Sequence, residues 1–321
     1  MSCRRGRRPP GMCTHTLALP DADVVHDVRG PLPTADGRPP LLMIGQPMTA
    51  AGFTTLASHF PDRTVVTYDP RGLGRSTRGD GRDDHTPGSQ AADLHALVHE
   101  LGAGPVEVFG SSGGAVAGLA LVAAHPEDVL TLVAHEPPVI PVLPDAAAAE
   151  RARGGVRDAY RAGGRGAGMA AFIAMTAWPG EYTDDYSAQP APDPAAFGTP
   201  PEDDRTRDDP LLSERSWAVS SFRPDAAALA AAPTRVVVAV GEETGDTFTA
   251  RTARATAALL GRRRSCSPAT TAGSSAMSTV TPGSRRRSRS GCARSSTVPA
   301  DRRTGELGGT RTGEWSFRRS A

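Results

Sequence analysis

The chain has 321 residues, which is enough for one large hydrophobic core or for one core with a covering insertion. Its 36 basic and 35 acidic residues leave a net charge of +1, which excludes a general attraction to nucleic acid or to a membrane surface. No apolar run is long enough to span a bilayer. The basic residues 1–10 have no apolar segment behind them, so no secretory signal is predicted and a cytoplasmic protein is expected. The spacings of the four cysteines match no metal site and argue against a disulfide framework.

In chain order, the sequence first predicts a β-hairpin over residues 14–30, where polar and apolar residues alternate. Continuous apolar runs follow, as expected for strands buried on both faces of a sheet. These predicted strands cover residues 41–44, 64–69, 106–109, 129–134 and 235–240. Helices are predicted over residues 50–60, 89–101, 115–124 and 248–260. Strands that alternate with helices pair in parallel, so we predict an α/β fold with a doubly wound, mostly parallel sheet.

The strand over residues 106–109 runs directly into Gly110-Ser111-Ser112-Gly113-Gly114. A strand that turns sharply into a helix needs very small residues on both sides of the turning residue, which adopts a strained backbone. This pattern predicts a nucleophile elbow with Ser112 at its tip. A glycine-rich turn without chemistry has the same short pattern, and the strand before it and the helix after it favour the elbow.

The composition changes over residues 139–233. Alanine- and arginine-rich helical stretches over residues 146–162 and 167–178 give way to a segment rich in proline and aspartate, and a further helix is predicted over residues 211–221. We expect this insertion to be a lid, whose apolar side chains either face a substrate or attach the lid to the body. The side chains in question are Phe172, Met175, Trp178 and Trp217.

Three motifs in this order resemble those of α/β-hydrolase fold enzymes of the lidded esterase, peptidase and epoxide-hydrolase type. Gly45-Gln46-Pro47 stands at the position of the oxyanion loop, residues 68–76 match the Asp-x-Arg-Gly-x-Gly-x-Ser turn, and residues 110–114 match the elbow. The resemblance covers about residues 14–261. It implies hydrolysis of a small ester- or amide-like substrate by Ser112, without a metal or an organic cofactor.

The resemblance also assigns the groups around the nucleophile. The backbone N–H groups of Gln46 and Gly113 are the expected oxyanion donors, and Gly110 and Gly114 flank the nucleophile. The usual position of the acid is occupied by Thr244, so two carboxylates stay open. Glu136, at the end of the preceding strand, ranks before Asp246, and a solvated loop carboxylate is the alternative for each. In the turn, Asp69 and Arg71 are expected to brace the backbone.

The general base is the missing group. Hydrolases of this fold place a histidine after the acid, whereas all eight histidines lie at or before His135. After Gly261 the chain is rich in arginine, serine and threonine, and such a composition does not bury a core. The last strand and the last helix of the fold are therefore expected to be missing.

Residues 262–321 have two interpretations: a disordered basic tail, or an out-of-frame translation of the missing segment. The chain contains no lysine and no asparagine, which indicates a GC-rich coding sequence. In the shifted reading frame, each codon consists of the last base of one codon and the first two bases of the next. In that frame, the codons possible for residues 267–275 can encode Pro-Gly-Asp-His-Gly-Gly-Phe-Leu. The histidine falls across Thr270 and Thr271. We interpret the tail as the product of a frameshift.

Together these interpretations predict a serine hydrolase impaired by the loss of its histidine, with a pocket-binding pseudoenzyme as the alternative. An active enzyme that recruits His135 as base is a third, less favoured hypothesis. The expected partner is a small-molecule substrate, with no nucleic acid and no membrane. The expected organisation is an N-terminal extension (1–13), a first core part (14–138), a lid insertion (139–233), a second core part (234–261) and a tail (262–321).

Overall fold

The computed structural model describes residues 11–261 and the backbone of residues 265–267. Its strands are β1 (Met12–Leu19), β2 (Ala22–Arg29), β3 (Leu41–Ile44), β4 (Val65–Tyr68), β5 (Val106–Ser111), β6 (Val129–His135), β7 (Arg235–Gly241) and β8 (Ser265–Ser267). These described residues form one eight-stranded sheet in the spatial order β1-β2-β4-β3-β5-β6-β7-β8. The pairs β1–β2 and β2–β4 are antiparallel, and every other neighbouring pair is parallel. The predicted α/β fold with a mostly parallel sheet is confirmed.

Helices connect the parallel strands. They are α1 (Thr54–Ser58), α2 (Pro87–Leu101), α3 (Gly113–Ala124), α4 (Ala146–Ala177), α5 (Asp184–Ser187), α6 (Trp217–Ser220), α7 (Ala226–Ala231) and α8 (Phe248–Leu259). The helix α2 begins at a Thr86 cap, whose hydroxyl accepts the N–H of Ser89, and it ends at Gly102 in the left-handed region. Ten residues of α3, from Gly113 to Val122, are buried, as expected for a helix that is apolar on all sides. Within the described residues, no helix combines the length and the apolar character needed to cross a membrane.

Beside β3, the chain changes the direction in which it adds strands to the sheet. From β3 the chain moves outwards to β4, then returns past β3 to β5 on the other side. The carboxyl ends of β3 and β5 are therefore neighbours at a topological switch point, with Ile44 opposite Gly110. Open α/β sheets bind their ligands at such points. The two predicted motifs that follow β3 and β5 thus meet at one edge of the sheet.

The insertion between β6 and β7 has its own hydrophobic cluster. Its long helix α4 is kinked at Gly163 and Gly164, whose backbone angles are not helical. The kink separates the two helices that were predicted here, which cover residues 146–162 and 167–178. Buried apolar residues of the insertion, among them Tyr160, pack with Phe248 of α8. The insertion is therefore joined to the sheet layer through α8.

Several local expectations held only in part or were wrong. The predicted helix over residues 50–60 is a 3₁₀ turn (Ala50–Phe53) followed by the short α1, and residues 211–221 contain only a 3₁₀ turn and the four-residue α6. Cys13 takes part in a disulfide, which the sequence analysis does not predict. The last strand was expected to be missing, yet β8 pairs in parallel with β7 over three residues. The frameshift hypothesis concerns residues 262–321, which lie outside the described part of the chain except for the backbone of residues 265–267.

Candidate active site

Ser112 lies between the end of β5 and the start of α3. Its backbone has φ 55° and ψ −122°, a conformation that residues with a side chain rarely adopt. The N–H of Ser112 donates to the carbonyl of His135 at 2.9 Å, which fixes the turn to the end of β6. Within the described residues, the Ser112 hydroxyl has no hydrogen-bond partner. The predicted strand, sharp turn and helix are all present at this position.

The glycines around Ser112 are required by close contacts. A Cβ atom on Gly110 would lie 2.7 Å from the carbonyl oxygen of Gly114, and one on Gly113 would lie 2.6 Å from that of Gln46. A Cβ atom on Gly114 would lie 2.2 Å from the carbonyl oxygen of Ile44. Real Cβ atoms do not come this near to backbone atoms. The backbone after β3 is therefore in direct contact with the start of α3.

Gln46 follows β3 in the predicted oxyanion loop and is buried. Its side-chain oxygen accepts a hydrogen bond from the amide of Gln90 on α2 at 2.5 Å. Gly113 opens α3, and the first N–H groups of a helix have no partner within the helix. Within the described residues, neither the N–H of Gln46 nor that of Gly113 donates a hydrogen bond. In the part of the chain that the structure describes, the N–H groups of two buried residues are thus unpaired next to the Ser112 turn.

The turn after β4 is braced by hydrogen bonds and ion pairs. The Asp69 carboxylate accepts the N–H of Ala50 and both the N–H and the guanidinium of Arg75, at 2.7 to 2.9 Å. Arg71 forms ion pairs with Asp93 of α2 at 2.6 Å and with Asp21 at 2.7 Å. The predicted bracing role of Asp69 and Arg71 is confirmed by these bonds.

The stability of this turn is expected to depend on pH. Burial alone raises the pKa of Asp69, but hydrogen bonds from Arg75 and Ala50 outweigh it and hold the pKa below its usual value. A carboxyl with a lowered folded-state pKa stabilises the fold above its unfolded pKa of about 3.9, and this contribution disappears as the pH falls through the folded-state pKa.

We therefore expect the free energy of unfolding of wild type to be higher than that of Asp69→Asn above about pH 5. The difference between the two free energies should become smaller below about pH 4. Urea unfolding between pH 3 and 7 measures this gap. Asp62→Asn, at an exposed carboxyl, is the matched control. A gap that stays constant over the whole range contradicts the expectation.

Glu136 directly follows β6 and is fully buried. Its backbone φ is 49°, and its N–H donates to Ala239 on β7. One carboxylate oxygen accepts the N–H of Gly241 at 3.0 Å and the hydroxyl of Thr244 at 2.5 Å, and the other accepts the hydroxyl of Thr249 at 3.0 Å. Thr244, which occupies the usual acid position, therefore binds the carboxylate of the neighbouring strand. Sequence reasoning did not find the contribution of Thr249.

Asp246, the second candidate acid, lies in the loop after β7. Its carboxylate forms an ion pair with Arg254, and its side chain is 63% exposed. His135 is buried, and the centroid of its ring lies 5.9 Å from that of Phe109. The described structure thus places Glu136, and not Asp246, in a buried position beside the Ser112 turn. It shows no hydrogen bond between His135 and the Ser112 hydroxyl.

The aromatic and apolar residues singled out in the insertion contribute to its packing. Met175 is buried in the cluster of the insertion, and Phe172 and Trp178 pack against that cluster. The Arg153 guanidinium lies 3.8 Å from the centroid of the Trp217 ring. A charged cavity of about 560 Å³ lies between the insertion and residues 83–84 of the body, and none of its lining residues is a predicted site residue. Its lining residues are Asp83, Asp84, Arg157, Tyr160, Arg161, Arg207, Ser213, Glu214 and Arg215.

Comparison with known families now gives the class of protein. Residues 39–233, more than half of the chain, match the family model described as alpha/beta hydrolase fold. The chain belongs to this family.

Two curated relatives are similar over shorter stretches. The uncharacterized hydrolase YraK of Bacillus subtilis is 37% identical over 129 residues, which cover 40% of this chain and 46% of YraK. A proline iminopeptidase of Xylella fastidiosa is 34% identical over 98 residues, which cover 30% of this chain and 31% of that protein. The chain spans less than half the length of these curated relatives.

Solved structures of low identity share the fold. A structure from work on carboxylesterases of Nitrososphaera gargenis superposes with a TM-score of 0.53 at 16% identity, over 78% of this chain and 89% of that chain. An alpha/beta hydrolase from Sphaerobacter thermophilus gives a TM-score of 0.50 at 22% identity, over 78% and 91% of the two chains. At these identities the likeness supports the fold alone.

Proposed function

We propose that the chain is by descent a serine hydrolase that acts on a small ester- or amide-like substrate through Ser112. The observation that carries this proposal is the strained Ser112 turn beside the backbone N–H groups of the buried residues Gln46 and Gly113, which have no partner among the described residues. Two such donors suit the negative charge that develops on a carbonyl oxygen when a hydroxyl attacks it. Glu136 is the proposed acid, because it is buried at the end of the neighbouring strand.

In the proposed reaction the Ser112 oxygen bonds to the substrate carbonyl carbon, and a base takes the hydroxyl proton. The carbonyl oxygen becomes an oxyanion held by the N–H groups of Gln46 and Gly113. The bond to the leaving alcohol or amine then breaks, and the leaving group takes up the proton from the base. Water hydrolyses the acyl-enzyme by the same steps and restores the Ser112 hydroxyl. The insertion over residues 139–233 is the proposed lid that selects the substrate.

The base is the group that this chain lacks. Since all eight histidines lie at or before His135, none follows Glu136 in the sequence. We attribute this to a frameshift near residues 262–265, after which the neighbouring frame permits a Gly-Asp-His-Gly turn across Thr270 and Thr271. Sequencing the coding DNA tests this step. A sequence that does not encode Pro-Gly-Asp-His in that frame contradicts it.

A fluorophosphonate probe tests the nucleophile. We expect a frame-corrected chain to be labelled at Ser112, and the present chain to be labelled at least about 10³-fold more slowly, because loss of the base removes most of the activation of the hydroxyl. Intact-mass spectrometry over time measures the labelled fraction. Ser112→Ala in both backgrounds is the control and should abolish labelling. Labelling of the corrected chain at another residue, or unchanged labelling of Ser112→Ala, contradicts the assignment.

The missing base also favours a second candidate, a pseudoenzyme that binds a ligand in the same pocket without turnover. In that case neither the present nor the corrected chain reacts with the probe. Rapid labelling of the present chain at Ser112 would instead support a histidine recruited from upstream, such as His135.

A further inference from the structure

Three histidines and a buried carboxylate meet at the edge of the sheet opposite Ser112. His95 and His99 lie one turn apart on α2, and His125 and Asp128 lie in the connection between α3 and β6. Asp128 immediately precedes β6, while Ser112 follows the end of the parallel strand β5. The cluster and the candidate active site are therefore at opposite ends of the same two strands.

The Asp128 carboxylate is buried and faces two imidazole rings. Asp128 is only 4% exposed, and its two oxygens face His95 Nδ1 at 2.7 Å and His99 Nε2 at 3.6 Å. No arginine forms an ion pair with this carboxylate among the described residues. A buried carboxylate needs pairing and hydrogen bonds, and among the described side chains only two imidazoles face this one, of which His95 is hydrogen-bonded to it. A divalent cation bound between the three side chains would supply that charge.

The geometry suits a small tetrahedral ion. The ligand atoms of His95, His99 and Asp128 all lie within 4.8 Å of one another. In a tetrahedral zinc site with bonds of about 2.0–2.1 Å, neighbouring ligand atoms are about 3.3 Å apart. His95 Nδ1 is hydrogen-bonded to one Asp128 oxygen at 2.7 Å, and His99 Nε2 lies 3.6 Å from the other oxygen, so a bound ion would replace this hydrogen bond and move His95 and Asp128 slightly apart. His99 has a side chain that is 65% exposed, so it is free to make the small adjustment.

We propose that His95, His99 and Asp128 form a binding site for Zn²⁺ or a similar transition-metal ion. Imidazole and carboxylate ligands suit these ions, and three protein ligands leave a fourth position for water. The bound ion links the carboxyl-terminal half of α2 to the start of β6. It stabilises the fold and takes no part in the reaction proposed at Ser112. In the sequence, the only trace of this site is the His-x-x-x-His pair on α2, whose partner Asp128 lies 29 positions after His99.

A second group of ligands is the competing arrangement. His95, His125 and Glu127 also bring one ligand atom each within 4.8 Å of one another. In this group, however, the His95 and His125 rings are stacked face to face, with centroids 3.8 Å apart and an angle of 15° between the planes. Stacked rings point their nitrogen lone pairs in similar directions and not towards a common ion. We therefore assign the metal to the group that contains Asp128.

Titration of the full chain with ZnCl₂ tests the site, with free thiols alkylated beforehand so that cysteines do not bind the ion. We expect one ion per chain by calorimetry, a Tm that increases with zinc concentration, and visible absorption of a bound Co²⁺ ion in tetrahedral coordination. His99→Ala should weaken binding at least about 100-fold, because it removes a direct ligand.

His59→Ala, which removes an exposed histidine of another region, should leave the affinity unchanged, and His125→Ala should weaken it less than His99→Ala does, because His125 stacks on the ligand His95 and is not itself a ligand. The absence of zinc binding overturns the proposal, as does a His99→Ala variant that binds like wild type. Loss of binding in His125→Ala but not in His99→Ala overturns it as well, because the ion then lies in the competing group. None of these results depends on hydrolase activity.

Discussion

Replacement of Gly114 by alanine is expected to lower the free energy of unfolding by about 3 kcal/mol or more. The new Cβ atom would lie 2.2 Å from the carbonyl oxygen of Ile44 and 2.6 Å from the Cα atom of Gly45. Both are backbone atoms at the end of the central strand β3, so no side chain can rotate away to make room. The helix α3 would have to separate from the loop that carries Gln46. Urea unfolding measures the loss.

Gly88→Ala is the matched control, because Gly88 is also helical and a Cβ atom there meets nothing within 4 Å. Alanine at this exposed position of α2 should be neutral or stabilise the protein by up to about 1 kcal/mol. Equal losses in the two variants would mean that the close contact of α3 with the end of β3 does not exist in solution. A stable Gly114→Ala protein would lead to the same conclusion.

Replacement of Glu136 by alanine is expected to have an effect of similar size. The variant leaves the N–H of Gly241 and the hydroxyls of Thr244 and Thr249 without their acceptor, and it creates a cavity at a fully buried position. Buried polar groups left unpaired and a cavity together destabilise a protein by about 3 kcal/mol or more. Glu136→Gln keeps the shape and one carbonyl oxygen, so its loss should be only about 1 kcal/mol.

Asp246→Ala separates the two candidate acids. It removes an exposed ion pair with Arg254 and should change the stability by less than about 1 kcal/mol. In a frame-corrected chain, Glu136→Gln should lower the rate of probe labelling roughly 10⁴-fold, as expected for a lost triad acid, while Asp246→Ala should not. The opposite pattern would assign the acid to Asp246.

The parts of the fold that the sequence predicted are those with a strong local signal. Continuous apolar runs identified the strands of the parallel sheet, and the glycines around Ser112 identified the turn, because each pattern is almost sufficient for its structure. The region over residues 50–60 has no such signal. Its apolar residues fit a helix, and the structure has a 3₁₀ turn, whose first N–H, that of Ala50, is capped by Asp69 from 19 positions later, followed by the short α1. A contact between residues so far apart in the chain is not visible in the local sequence.

The candidate site was predictable only in part for the same reason. The elbow and the loop containing Gln46 are continuous motifs, whereas the contact of Gln46 with Gln90 joins residues 44 positions apart. The surroundings of Glu136 depend on Thr244 and Thr249, more than 100 positions later. The ranking of Glu136 before Asp246 rested on strand position alone. The presence of a threonine at the usual acid position was a usable signal, since its hydroxyl binds the Glu136 carboxylate.

One carboxylate limits how the insertion can be exchanged between relatives. Asp145, just before α4, accepts the N–H of Tyr182 at 2.8 Å and forms an ion pair with Arg251 of α8. The first two residues belong to the insertion, but the arginine belongs to the body. A graft of residues 139–233 onto another scaffold would therefore leave Asp145 without its cation unless the recipient also carried an arginine at the matching position of α8. An exchange of the insertion between relatives that keeps this fold must therefore transfer the contacting face of α8 together with the insertion.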